Sequence, residues 1–323
     1  MSGYKIEKVS ADNFSMLIPL MKDCFGMTVN IDYFKWKYLK NPAGNFIGFV
    51  AIEIATNEVA AYYGVIPQKF IFNGVEQIIY QSCDTMTHSK HRRKGLFQQL
   101  ALVCYDNIKQ HHNFFIIGFG GGQSTPGFLK FGWKQIFQFK YYFKPNLLCK
   151  LDGIFPISKN VFTEETSFDG LSDLIEKQNH TAEIYSNKNL AHFNWRIANP
   201  NQSYKIISVS HGEKKEGYIV YTQQENKLIL FDFSFHNKQA KRRLMQYLSA
   251  VVVQKKLQGV IAFCQENGEQ SKILKQHFYI SNPFNKGPLH EKVPFIIFTD
   301  DARFDKYSDA KKWSVTSYDH DAL

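Results

Sequence analysis

Apolar residues recur along this chain in two rhythms, one close to 3.6 residues and one of two, and their alternation outlines the elements. Phe14, Leu17, Ile18 and Met21 form a helical stripe near the N-terminus. Leu96, Leu100, Val103 and Cys104 form a second, on a helix that should end near His111 and His112, and Leu171, Leu174 and Ile175 begin a third. Between the first two stripes, strands are expected near 46–55, 59–66, 69–72 and 76–84. The unbroken apolar run Phe114-Phe-Ile-Ile-Gly118 reads as a buried parallel strand. In the second half strands are expected near 204–210, 216–222, 227–235 and 259–264.

The two halves also share a motif. Phe34-Lys-Trp-Lys-Tyr-Leu-Lys-Asn-Pro42 and Phe193-Asn-Trp-Arg-Ile-Ala-Asn-Pro200 both read Phe-x-Trp-basic followed by Asn-Pro. Each follows an amphipathic helix and precedes a β-rich run, and each run then meets a basic helix start. The expected organisation is two mixed α/β units from one duplication, residues 1–147 and 165–303. A linker over 148–164 contains Gly153 and Pro156, and a tail covers 304–323.

Candidate chemistry concentrates in residues 84–97, Asp-Thr-Met-Thr-His-Ser-Lys-His-Arg-Arg-Lys-Gly-Leu-Phe, where a strand runs through a basic turn into a helix. Main-chain amides at a helix N-terminus are unpaired and its dipole favours anions, so Gly95 and its neighbours can wrap a diphosphate. Arg92, Arg93 and Lys94 would screen the charge. The ligand implied is a nucleotide-linked cofactor.

Arg92-Arg93-Lys94-Gly95-Leu96-Phe97 resembles the Arg/Gln-x-x-Gly-x-Gly/Ala loop of the GNAT superfamily of acyl-CoA-dependent N-acyltransferases, with Phe97 replacing the last small residue. Downstream, residues 120–133, from Gly120-Gly-Gly-Gln-Ser124 to Gly132-Trp133, resemble the second signature of that superfamily. The resemblance implies an α/β (mixed α+β) fold of two tandem GNAT-like units, each a mixed, mostly antiparallel sheet flanked by helices. It implies an acyl-CoA donor, acetyl-CoA or 3-hydroxybutanoyl-CoA, held by Met86, Thr87, Arg92, Arg93, Lys94, Gly95, Leu96 and Phe97. An amide of Met86 or Thr87 would steady the oxyanion. Asp84 is the favoured base for the attacking amine and His88 its competitor. In GNAT enzymes a tyrosine often protonates the leaving thiolate; here Phe128 stands in its segment, which leaves Ser124, a water or no acid at all.

The second unit's equivalent loop, residues 236–244, has no glycine, so CoA is not expected there. That unit either covers apolar surface or completes the acceptor pocket, with Asp232 and His236 on the aromatic Leu230–His236 run as polar contacts. Comparison with tandem GNAT proteins suggests a nucleotide-linked amino sugar, such as a dTDP-amino-deoxyhexose for a surface glycan, as the acceptor. The alternatives are a peptidyl-type aminoacyltransferase and an inactive acyl-CoA-binding regulatory module.

Composition narrows the field. The chain has 323 residues, 44% hydrophobic, enough for two cored units. Its net charge of +10 invites an anionic partner, but basic and acidic residues are interspersed and no nucleic-acid module is present, so small anions such as CoA phosphates or a sugar nucleotide are expected instead. No apolar stretch is long enough for a membrane span and the N-terminus lacks the core of a secretion signal, which points to the cytoplasm. Cys24, Cys83, Cys104, Cys149 and Cys264 form no CxxC pair, so neither disulfides nor a zinc site is expected. His111, His112, His180, His211, His277 and His290 show no ligand spacing, and no metal is expected.

Overall fold

The computed structural model describes residues 3–111, 114–121, 124–152, 161–176, 182–284, 286–300 and 306–321. It has two compact units, one of residues 1–136, 198–201 and 294–312, the other of 137–197, 202–293 and 313–323.

In the first unit the chain runs β1 (Tyr4–Lys8), α1 (Leu17–Phe25), and α2 (Ile31–Phe34) continued by a π-helical turn at Lys35–Leu39. β2 (Ile47–Glu53), β3 (Val59–Phe72) and β4 (Val75–Thr87) follow, then α3 (Leu96–His111), β5 (Ile116–Phe119) and α4 (Thr125–Lys130). β1 to β4 form an antiparallel meander, and β5 joins β4 in parallel. α3 lays Leu96, Leu100, Ala101, Cys104 and Ile108 against Ala61, Tyr63, Val65 and Ile116.

In the second unit the order is β6 (Lys134–Pro145), α5 (Asn146–Asp152), β7 (Phe162–Glu165), α6 (Ser172–Glu176), β8 (Ile184–Ser186) and α7 (Leu190–Ile197). Then come β9 (Lys205–His211), β10 (Lys214–Gln224), β11 (Lys227–Phe235), α8 (Lys238–Gln254), β12 (Gly259–Gln265), α9 (Glu269–Gln276) and β13 (Ile280–Ser281). β14 (Lys292–Phe298), whose residues from Pro294 on belong to the first unit, comes next in the chain, and β15 (Trp313–Ser314) ends the second unit's series. The antiparallel order β7-β9-β10-β11, with β12 parallel to β11, repeats that of β1 to β5. α8 takes the place of α3, packing Leu244, Met245, Leu248 and Val252 on Ile207, Val209, Ile219 and Val260.

The sixth strand of each sheet comes from the other half of the chain. In the first unit β14 pairs antiparallel with β5, Phe295↔Phe119 through Phe298↔Ile116. In the second, β6 pairs antiparallel with β12, Gly259↔Pro145 through Gln265↔Phe139.

Several elements differ from expectation. β3 is one strand rather than two, because its ladder with β4 runs unbroken through Ile66↔Gln81, Pro67↔Tyr80 and Gln68↔Ile79. β4 runs on to Thr87, and β6 and β14 are strands that periodicity did not reveal. Of the 148–164 segment, 148–152 is helical and 153–160, with Gly153 and Pro156, lies outside the described residues. Within 304–323, Trp313, Val315 and Tyr318 are buried in the second unit.

Candidate functional site

The end of β4 shapes the site. Tyr62 pairs with Met86 and Gly64 with Cys83, so Asp84 and Thr85 together face Tyr63 in a β-bulge, with Asp84 left-handed at φ 46°. The ladder from β4 to β5 stops at Ser82↔Gly118, while β4 itself continues to Thr87, so its last five residues have no β5 partner. His88 N–H donates to the Ala60 carbonyl at 2.9 Å. Strand N–H groups alternate in direction, so the Met86 amide turns toward β3 and that of Thr87 away from it. Thr87 main chain lies against the half-buried Cys24 thiol, whose pKa burial raises and that contact lowers in part.

Beyond β4, a 3₁₀ turn at Ser89–His91 leads into the basic turn. Arg93 and Gly95 are both left-handed, at φ 64° and 74°, and α3 starts at Leu96. A Cβ added at Gly95 would meet only the Gln99 side chain, at 3.8 Å, so the space before the helix amides is open. An open cavity of about 390 Å³ lies there, lined by Thr87, Arg92, Arg93, Lys94, Gly95, Leu96 and Phe97, with His91, Gln98 and the α4 residues Gly127, Lys130 and Phe131. Arg92 Nε donates to the Thr87 carbonyl at 3.4 Å. Lys94 Nζ donates to Tyr4 Oη at 2.8 Å, which raises the ammonium pKa and keeps its charge.

Asp84, Met86, His88 and Ser124 do not line that cavity. Asp84 is half-buried in the bulge with its carboxylate turned inward, where Lys37 Nζ reaches it at 2.8 Å and Tyr38 Oη donates to it at 2.7 Å. Burial and the Asp84 charge hold the Tyr38 hydroxyl pKa well up. Both partners were missed in the sequence, although Lys37 is the basic residue of the repeated Phe-x-Trp motif. Met86 is buried, and His88 Nε2 sits 3.4 Å from Glu58. Ser124 Oγ bonds the main chain of Gly121 at 3.2 and 3.4 Å before α4. Phe128 is core, its ring 5.0 Å from that of Phe97 and 4.7 Å from that of Trp133.

In the second unit the β11 to β12 ladder likewise stops early, at Leu230↔Ala262. There the helix start is occupied differently: the Asn237 side chain accepts from the Ala240 N–H at 2.8 Å and caps α8. A cavity of about 310 Å³ includes Asp232, His236 and residues 314–316. Asp232 accepts from Tyr218 Oη at 2.8 Å, and burial pushes its pKa up to about 6. His211 is exposed, burial lowers the His277 pKa to about 4, and His112 and His180 lie outside the described residues. All five cysteines are free thiols. Among the described residues no helix is long and apolar enough to cross a membrane.

Residues 5–136 match the family model of the acetyltransferase (GNAT) domain. No curated protein matches the sequence. Similar solved structures include a conserved protein of unknown function from Enterococcus faecalis, described as a probable N-acyltransferase, at TM-score 0.68 and 11% identity over 92% of this chain and 72% of that one. A GCN5-related N-acetyltransferase from Anabaena variabilis superposes at TM-score 0.66 and 15% identity, over 91% of this chain and 72% of that one. The Saccharomyces cerevisiae N-myristoyltransferase, solved with bound myristoyl-CoA, superposes at 0.65 and 11%, over 93% and 79%. These likenesses speak to the fold. Residues 5–136 form a GNAT acetyltransferase domain. The chain that carries it is an enzyme, an acyl-CoA-dependent N-acyltransferase.

Proposed function

We propose that the protein moves an acetyl or 3-hydroxybutanoyl group from CoA to the amine of a nucleotide-linked amino sugar, in the cytoplasm where such donors are made. The observation that carries the donor half is the open cavity at the start of α3, lined by the four cationic side chains of Arg92, Arg93, Lys94 and Lys130 and by a left-handed glycine. The CoA diphosphate rests on the amides that follow Gly95, with Arg92 and Arg93 against its charge and Lys94 steadied by Tyr4. The acyl carbonyl lies along the end of β4 that β5 leaves uncovered, where the Thr87 amide exchanges the Cys24 thiol for the developing oxyanion. Asp84 takes the amine proton through the acceptor positions that Lys37 and Tyr38 leave free, since each carboxylate oxygen has two. His88 is the alternative base. The thiolate leaves by way of water, because Phe128 has no proton to give. The second unit, its helix start capped by Asn237, binds no CoA.

The acceptor is supported by the net charge of +10, which suits a substrate bearing a diphosphate. Calorimetry with acyl-CoAs, coupled to thiol-release assays on a panel of nucleotide-linked amino sugars, tests both halves. Amine-dependent thiol release is expected. Tight acyl-CoA binding without release on any amino sugar in the panel would remove the acceptor, and no binding would remove the donor.

A further inference from the structure

We propose that Glu58, His88 and His91 form a site for a divalent first-row transition metal of the zinc type, tying the turn that leads into the diphosphate cradle to the start of β3. The ligand atoms these three side chains offer all lie within 4.8 Å of one another. His88 and His91 stand three residues apart across the 3₁₀ turn, whose geometry eclipses such positions, so both rings leave on one side. Glu58 meets them from the residue before Val59, with Oε1 3.4 Å from His88 Nε2 and Oε2 3.7 Å from His91 Nε2. Tetrahedral bonds of ~2.0–2.1 Å place neighbouring donor atoms about 3.4 Å apart, close to these separations.

The second observation is His91 itself. It is only 3% exposed, and its Nε2 has no hydrogen-bond partner, an expensive condition for a buried ring nitrogen. Glu58 at 3.7 Å and Glu53, at 3.9 Å from Nδ1, are too far for hydrogen bonds. A metal at Nε2 resolves this. It takes the Nε2 lone pair and leaves the proton on Nδ1, which then donates to Tyr4 Oη, 2.9 Å away. An imidazole held from behind by an oxygen is the usual outer support of a ligating histidine. Tyr4 Oη also accepts from Lys94, so the tie reaches the cradle through one hydroxyl.

Binding gives up little. His88 exchanges a long 3.3 Å contact from the Lys90 amide to Nδ1, and the exposed Lys90 ammonium, 3.8 Å from Glu58, swings away. Asp23 lies 3.9 Å from His88 Nε2, but its carboxylate already accepts from the Ser89 amide and hydroxyl at 2.8 and 2.9 Å. It braces the turn, and water takes the fourth position. Two imidazoles and one carboxylate suit zinc, cobalt or nickel better than magnesium or calcium.

The test uses tag-free protein stripped with a chelator, dialysed and titrated with zinc chloride against a chromophoric competitor, without acyl-CoA. Its outcome is therefore separate from that of the acyl-transfer reading. Saturation at a 1:1 ratio is expected, with a visible d–d band when cobalt replaces zinc. Glu58→Gln and His88→Ala, both at partly exposed positions and checked for native circular dichroism, should abolish tight binding. Tyr4→Phe should weaken it roughly 10–100-fold, and His211→Ala, at an exposed histidine, should leave it unchanged. Zinc affinity in the wild type no tighter than in Glu58→Gln and His88→Ala, or the lack of a cobalt band, overturns the proposal.

Discussion

Lys37 and Asp84 show how much a single pair of side chains decides. Lys37 is 1% exposed at its side chain and Asp84 7%, so each charge depends on the other. Removing one partner of a buried pair costs about 3–5 kcal/mol, because the survivor is left uncompensated. Lys37→Met should therefore lower unfolding free energy by that order in urea titrations, with acyl-CoA binding by the folded fraction retained. Asp84→Asn should depress turnover far more than its loss of stability explains, and turnover equal to wild type in folded protein would take Asp84 out of the base role. The sequence made Asp84 legible by its place at the end of a strand. It did not reveal Lys37 or Tyr38, since nothing in a helical stripe announces that one lysine points inward toward a carboxylate 47 residues away. His88 was legible as a candidate base, but its grouping with His91 was not, because Glu58 lies 30 residues upstream of His88 and meets them only once β3 and β4 have paired.

At the scale of elements, the α3 start and the α8 start are the informative comparison. Both helices carry apolar stripes on the core side; the first was visible by period, and the second was expected only from its basic start after the β-rich run. What differs is the residue before the helix: Gly95 in one, a capping Asn237 in the other. Gly95→Val puts a branched side chain into the open space and forces a left-handed backbone that β-branched residues avoid. Acyl-CoA affinity measured by calorimetry should fall at least about tenfold, the equivalent of roughly 1.4 kcal/mol. Asn237→Ala should cost α8 about 1 kcal/mol in thermal or urea unfolding and leave acyl-CoA affinity unchanged. The strand meander was largely readable from alternation. Its errors have a physical cause, since a proline such as Pro67 reads as a break until its strand partner is known, and here β4 pairs continuously past it.

For the molecule as a whole, acid sensitivity should come from buried groups in the second unit. His192 is buried among Asp319, Arg196 and Lys188, and burial lowers its pKa to about 3. The unfolded chain takes up a proton at this residue near pH 6.5 and the folded chain does not, so the folded state loses stability as pH falls from 6.5 toward 3. Asp232, raised to about 6, works in the opposite sense: the folded state binds its proton first, so stability is regained as pH falls from 6 toward 3.8. His277, which burial lowers to about 4, acts in the same sense as His192, so His192→Leu should weaken the first trend and leave the second, giving a flatter melting temperature profile between pH 6.5 and 4.

The sixth strands were the least legible feature, because no local pattern says which sheet a strand will join. Phe295, Ile296 and Ile297 are wholly buried in the first unit although the rest of its sheet is complete by Phe119. A fragment ending at residue 136 should accordingly lack a cooperative melt by circular dichroism, and supplying residues 294–312 as a peptide should restore it. On the ribosome the same wiring imposes a wait. At roughly 5–20 residues per second, the exposed flank of β5 goes uncovered for about 10–35 seconds before its neighbour emerges. Over that interval the nascent chain presents a bare, apolar sheet margin, which makes this protein a client for chaperones that shield such margins and ties its yield to the speed of translation.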